Sequence, residues 1–148
     1  MSLLPDAAIQ AERDLWFVRA MHPHVSSFGY GPALSSNALL LELDIHVAFV
    51  AGAWISVIAL CFASIESQVR QVRKKDFKKA ISELAQSNPD FDWLRNLRNE
   101  IAHSTAPGSH SALWRVVSND LSDTHAALEV DAKRAIEVMA RHIYRPDG

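Results

Sequence analysis

Arg98, Asn99 and His103 stand within six consecutive positions, and their side chains are suited to proton transfer and anion recognition. Histidine has an unperturbed pKa of about 6.5, so near neutral pH it can both take up and release a proton. Arginine stays charged throughout and offers several N–H groups to an anion from one planar guanidinium. Asn99 lies four positions before His103. Its amide can orient the imidazole or hydrogen-bond an anion, depending on which way it faces.

The segment Trp93–Ser104 that carries these residues reads as one amphipathic helix. At about 100° per residue, Leu94, Leu97 and Ile101 form an apolar stripe, with Asn99 and His103 on the opposite, polar side. Arg98 falls at the border of that stripe. A guanidinium so close to a core needs an anionic partner or acceptors, or must reach past the core to a site. Glu66, at the end of a long apolar segment, is the candidate partner. Arg95 reads as an exposed surface residue, or as a residue lining a groove between two symmetry-related copies. An ordinary structural role stands beside the chemical one: His103 would meet the terminal carbonyls of its helix, and Arg98 would be a paired arginine at the core border.

Strong punctuation surrounds the segment. Asn88 can cap the helix, Pro89 suits its first position, and Asp90 and Asp92 favour its first turn; an end is expected within 104–108. Upstream, Phe77, Ile81 and Leu84 mark a helix that begins at Asp76 and ends at Ser87-Asn88-Pro89. Pro5–Met21 is expected to form a first helix with Ile9, Leu15, Phe17 and Val18 available for burial. His22–Ser36, which contains Pro23, Gly29, Gly31 and Pro32, should be an irregular connection. Asn37 to about Lys75 lacks proline and has only Gly52, so it predicts one long helix or two in tandem. Gly52, Ala53 and Ser56 would permit close approach of helices. A short helix or turn at 109–117 and a closing helix from Asp123 to Tyr144, ended by Pro146, complete the reading. In the closing helix Ala127, Val130, Arg134, Val138 and Arg141 are interleaved at helical spacing. The expected fold is therefore all-α, a single domain over 1–148 built as an antiparallel bundle of four to six helices.

With 148 residues, 49% of them hydrophobic and 22% charged, the chain can bury a sizeable core. A formal net charge of −2 argues against bulk electrostatic binding to DNA. Arg70–Lys79 nevertheless concentrates six basic residues around Asp76. Arg70, Arg73, Lys74 and Lys75 could gather phosphates there, or the run could be a solvated face. Val47–Ile65 has nineteen residues without a formal charge, close to the roughly 20 needed to cross a bilayer. Its glycine and serines, and the charged residues at its edges, favour a helix buried within a bundle or dimer instead. The lone Cys61 is expected to be packed, His46 to sit at the core edge, and His110, His125 and His142 to be scattered and exposed. His22-Pro-His24 in a loop makes a poor metal site, so neither metal nor cofactor is expected. Without a secretory leader or cysteine pair, a cytoplasmic location fits best.

The order of these segments resembles the HEPN superfamily, whose signature is an arginine, usually followed by a polar residue, and a histidine after four to six intervening positions. Here that pattern is Arg98-Asn99-Glu100-Ile101-Ala102-His103, preceded by Phe62-Ala-Ser-Ile-Glu-Ser-Gln-Val-Arg70 and by Asp76-Phe-Lys-Lys-Ala-Ile-Ser-Glu-Leu84. The resemblance covers about 44–141. It implies a helical, commonly dimeric domain in which two motif helices meet near the interface. Many members cut RNA without a metal, while others bind nucleotides or serve as scaffolds. Residue by residue it implies His103 as acid/base, Arg98 on the scissile phosphate and Asn99 in support. By the same resemblance, the expected partners are RNA, a second copy of the chain and a cognate antitoxin such as a nucleotidyltransferase-like protein, in a toxin or defence factor. The rival expectation is a non-catalytic helical dimer acting as a nucleotide-binding or protein-interaction module; a small membrane-associated protein is the third.

Overall fold

The computed structural model describes residues 4–27, 35–103 and 121–144, and all regular structure among them is helical. The expected features at 109–117, His110, Pro146, the part of the irregular connection at 28–34 and the end of the Arg98-bearing helix past His103 lie outside the described residues. Six helices are described: α1 Ala7–Ser27, α2 Ser36–Ala51, α3 Trp54–Val72, α4 Phe77–Ser87, α5 Pro89–His103 and α6 Leu121–Ile143. No helix among the described residues is long and apolar enough to cross a membrane.

The uncharged stretch is not continuous helix, because Gly52 divides it. Gly52 takes φ 79°, a left-handed conformation that glycine adopts without steric penalty, and its N–H bonds back to Ala48 and Phe49 carbonyls. The chain then reverses into α3. Two contacts at the far end fix the register of this antiparallel hairpin: Ser35 N–H donates to Gln68 Oε1 at 2.9 Å, and the Ser35 and Ser67 hydroxyls meet at 2.9 Å. Ser35 Oγ also accepts Ala38 N–H at 3.2 Å, capping α2. Gly52, Ala53 and Ser56 do not mediate helix packing as expected. Ala53 and Ser56 are exposed, and the close approach to Gly52 comes from Arg13 of α1. Its guanidinium donates to Val50 O at 3.3 Å and lies 4.6 Å from the Trp54 ring centre.

Helix α3 occupies the centre. Val57, Ile58, Cys61 and Ile65 are fully enclosed, and α2, α4, α5 and α6 all pack against it. Complete burial pushes the Cys61 thiol far up from its ordinary range, so it remains a protonated packing group. From α6, Ala132, Ala135, Ile136, Met139 and Ile143 face inward; Val130 and Ala127 do not. The Tyr144 hydroxyl donates to the Glu42 carboxylate and ties the end of α6 to α2.

Helix α1 departs from expectation twice. It runs through Pro23 to Ser27, so His22 and His24 belong to its last turns and not to a loop. Proline removes one intrahelical hydrogen bond, and so near the helix end only one further turn has to continue past it. Of the four residues expected to be buried, only Phe17 is; Ile9, Leu15 and Val18 are exposed, and Met21 and Trp16 pack inward instead. Phe17 stacks on His46 at 4.2 Å, and His46 Nε2 meets Asp14 at 2.7 Å, so His46 is a satisfied histidine at the core edge.

Replacing Gly52 by alanine should cost about 1–2 kcal/mol, the strain of a left-handed L-residue, as the added Cβ would also displace Arg13. Urea unfolding should show this as a lower midpoint with an unchanged slope. An unchanged midpoint would mean that the turn does not depend on this conformation.

Candidate functional site

Local chemistry and three neighbouring helices, α3, α4 and α6, hold α5 in place. Asn88 Oδ1 accepts Phe91 N–H at 3.0 Å, and Pro89 opens the helix, as the sequence predicts. Asp90 in the first turn receives Arg134 at 3.1 Å and Arg141 at 3.2 Å, both from α6. The Arg134 guanidinium also lies 4.0 Å from the Trp93 ring centre. Phe91 is wholly buried between elements, stacked 5.7 Å from Phe62 of α3 and 6.3 Å from His142 of α6. Leu94 and Leu97 are buried, and Ile101 packs against the core. The apolar stripe read from the sequence is therefore the face that docks α5.

Arg98 lies at the edge of that docked face. Its guanidinium lies 4.5 Å from the Phe62 ring centre, with Nη2 3.7 Å from Glu66 Oε2 and Nη1 donating to Asn99 Oδ1 at 3.0 Å. Glu66 is thus the partner that the sequence suggested. Phe62 was not singled out, although it stands one turn before Glu66 on α3 and so shares its face. The Arg98 and Glu66 side chains retain 31% and 29% exposure, so solvent and a ligand can still reach them. Asn99 presents its side-chain carbonyl to Arg98.

His103 is exposed on the last described turn of α5. Helical geometry separates it from Arg98 by roughly 140° around the axis and about 7.5 Å along it. Arg95, partly exposed, lies on the same side of the helix as Asn99. Glu66, Arg98 and Asn99 form one contacting group, then, while His103 and Arg95 share the polar side of α5 with Asn99.

The basic run continues this surface along α3. Arg70 is one turn, about 6 Å, beyond Glu66 on the same side. Its guanidinium lies 4.1 Å from the Phe77 ring centre. Arg73 is engaged by Asp76, with Nε donating at 3.1 Å, and this contact holds the Asp76 carboxyl below its ordinary range. Lys74 and Lys75 are exposed and form no ion pair among the described residues. Of the four basic residues expected to meet phosphates, these two are the least engaged by the protein.

His142 corrects one expectation, since it is half-buried against Phe91 instead of exposed. Burial lowers its pKa from 6.5 because the charged imidazolium is poorly solvated there. The unfolded chain therefore binds this proton more readily, and stability falls as pH drops through about 6.5 toward the lower folded-state value. Urea unfolding at pH 7.5 and 5.5 should show a smaller loss on acidification for His142→Gln than for the parent. Equal losses would show that His142 does not contribute to the pH dependence. Comparison with protein-family models, curated proteins and solved structures gives no match to this chain.

Proposed function

We propose that this chain is a metal-independent endoribonuclease of HEPN type. The observation that carries this reading is the partly exposed Arg98 side chain, held by Glu66 and Asn99 over Phe62 on the helix whose last described turn carries an exposed His103. In the reaction, an RNA 2′-hydroxyl attacks the adjacent phosphorus and the bond to the 5′-oxygen breaks. The 2′-hydroxyl gives up a proton, and the departing oxygen takes one. His103 serves as the acid/base for these transfers, and Arg98 neutralises charge developing on the phosphoryl oxygens. Lys74 and Lys75, with Arg70 and Arg73, offer a cationic approach for flanking phosphates.

Arg98 and His103 lie on different sides of α5, which favours a site shared between two copies of the chain. In a homodimer with facing α5 helices, both pairs would surround one cleft, with Arg95 along it. The HEPN resemblance extends the reading to a toxin or defence factor restrained by a cognate antitoxin, with a nucleotidyltransferase-like protein as the candidate. A cytoplasmic location accords with that role.

One observation favours a second reading. Glu66, Asn99 and Phe62 already satisfy much of the Arg98 side chain, as they would in a non-catalytic helical dimer serving as a nucleotide-binding or protein-interaction module. An end-labelled RNA pool, incubated in EDTA with the parent protein and with His103→Ala, separates the two readings once matching helical content and oligomeric state are established. Cleavage by the parent alone, leaving cyclic-phosphate ends, is the expected result. If neither folded protein cuts RNA, the non-catalytic module is the better description.

A further inference from the structure

Helix α6 carries a histidine near each end, and each packs on an aromatic ring of another helix. At the far end His142 lies against Phe91 of α5. Near the start His125 is exposed, as the sequence predicts, yet its ring lies 5.4 Å from that of Trp54, the first residue of α3, and Trp54 Nε1 donates to His125 Nδ1 at 3.2 Å. The two residues stand 71 positions apart, so this bond ties the start of α6 to the start of α3.

An indole nitrogen donates and cannot accept. His125 Nδ1 is therefore the bare nitrogen, and the proton of the neutral ring sits on Nε2. A second proton has only Nδ1 to bind, and there it would set N–H against N–H. The bond exists only with a neutral imidazole. Trp54 is 2% exposed, so protonation of His125 would leave the indole N–H short of an acceptor where little water reaches it.

The charged groups around the pair do not remove this restriction. Arg13 of α1 brings its guanidinium to 4.6 Å from the centre of the same indole. Glu129, one turn beyond His125 on α6, would favour a charged ring, but its carboxylate meets Lys133 at 3.4 Å. Asp123, two positions before His125, projects from another side of α6. Helix α3 contributes no formally charged residue before Glu66. The far end of α6 is held differently: Tyr144 donates to the Glu42 carboxylate, and Arg141 meets Asp90 at 3.2 Å, contacts that involve no imidazole.

We infer that the Trp54–His125 hydrogen bond is a pH-sensitive latch, which holds the start of α6 on α3 while His125 is neutral and releases the first turns of α6 when His125 takes up a proton. This does not rest on the nuclease reading. The latched state needs the neutral ring and the released state accepts the proton, so release is favoured as pH falls through about 6.5, the pKa of a free imidazole. Between pH 7.5 and 5.5 that proton uptake can shift the release equilibrium by at most roughly tenfold.

Hydrogen exchange of the full chain at the two pH values, corrected for the intrinsic rate at each, reads the latch directly. Amides 126–130 lie past the first four of α6, which have no partner within the helix. Their protection should fall by up to roughly tenfold on acidification, and more than that of amides 135–139 on the same helix. His125→Asn sets a side-chain oxygen near the place of Nδ1 that takes up no proton, and should abolish the acid response of 126–130. Trp54→Phe keeps a ring in the packing but removes the N–H, and should lower protection of 126–130 at pH 7.5 while also abolishing the response. Equal protection of 126–130 in the parent at both pH values would overturn the inference. So would a response that persists in His125→Asn, which would assign it to another group such as His142. Loss spread evenly over α6 would mark unfolding of the whole chain and would overturn the latch as well.

Discussion

The whole arrangement depends on enclosing α3. Its Trp54, Val57, Ile58, Cys61, Phe62 and Ile65 are buried, and no formally charged residue interrupts the helix before Glu66. Burying each large aliphatic or aromatic side chain is favourable by about 1.5–3 kcal/mol. A helix with so wide an apolar surface therefore cannot lie at the edge of a single layer; α2, α4, α5 and α6 gather around it. Where the apolar surface ends, Glu66 introduces charge, and that is where Arg98 arrives from α5. The polar group of the candidate site thus forms at the boundary of the core, and its position follows from how far α3 stays apolar.

Magnitudes separate what holds α5 from what α5 presents. Its attachment comes from Phe91, Leu94 and Leu97, whose burial far outweighs one partly exposed ion pair, worth about 0–1 kcal/mol. The Phe62 contact adds roughly 0.5–2 kcal/mol to the Arg98 side chain. Asp90, shared by Arg134 and Arg141, fixes the other end of the helix against α6. The guanidinium is accordingly placed by a scaffold that does not depend on it.

The parts of this structure legible in the sequence are those governed by neighbours a few positions apart. Asn88 and Pro89 mark the start of α5 because a cap acts across three residues, and the Leu94–Leu97–Ile101 stripe follows from helical periodicity alone. The Glu66–Arg98 pair was legible for a different reason: each charge sat against apolar sequence and needed a partner. The side of α1 that is buried was not legible, since Ile9, Leu15 and Val18 are as apolar as residues that do pack inward, and α2 selects among them. Pro23 misled for a positional reason, because a proline one turn from a helix end removes little. Phe62 and His142 gained their places from contacts between α3, α5 and α6, across separations that no local pattern encodes.

In the proposed nuclease, Glu66 positions Arg98 and contributes little to holding the fold. A double-mutant cycle on Glu66→Gln and Arg98→Met, read in parallel by urea unfolding and by RNA cleavage in EDTA, separates these two roles. Stability coupling should be within about 1 kcal/mol, while loss of the Arg98 guanidinium should lower the cleavage rate roughly 100-fold or more. Destabilisation by about 3–5 kcal/mol on breaking the pair, with any cleavage by the folded fraction unchanged, would instead make Arg98 a packing residue.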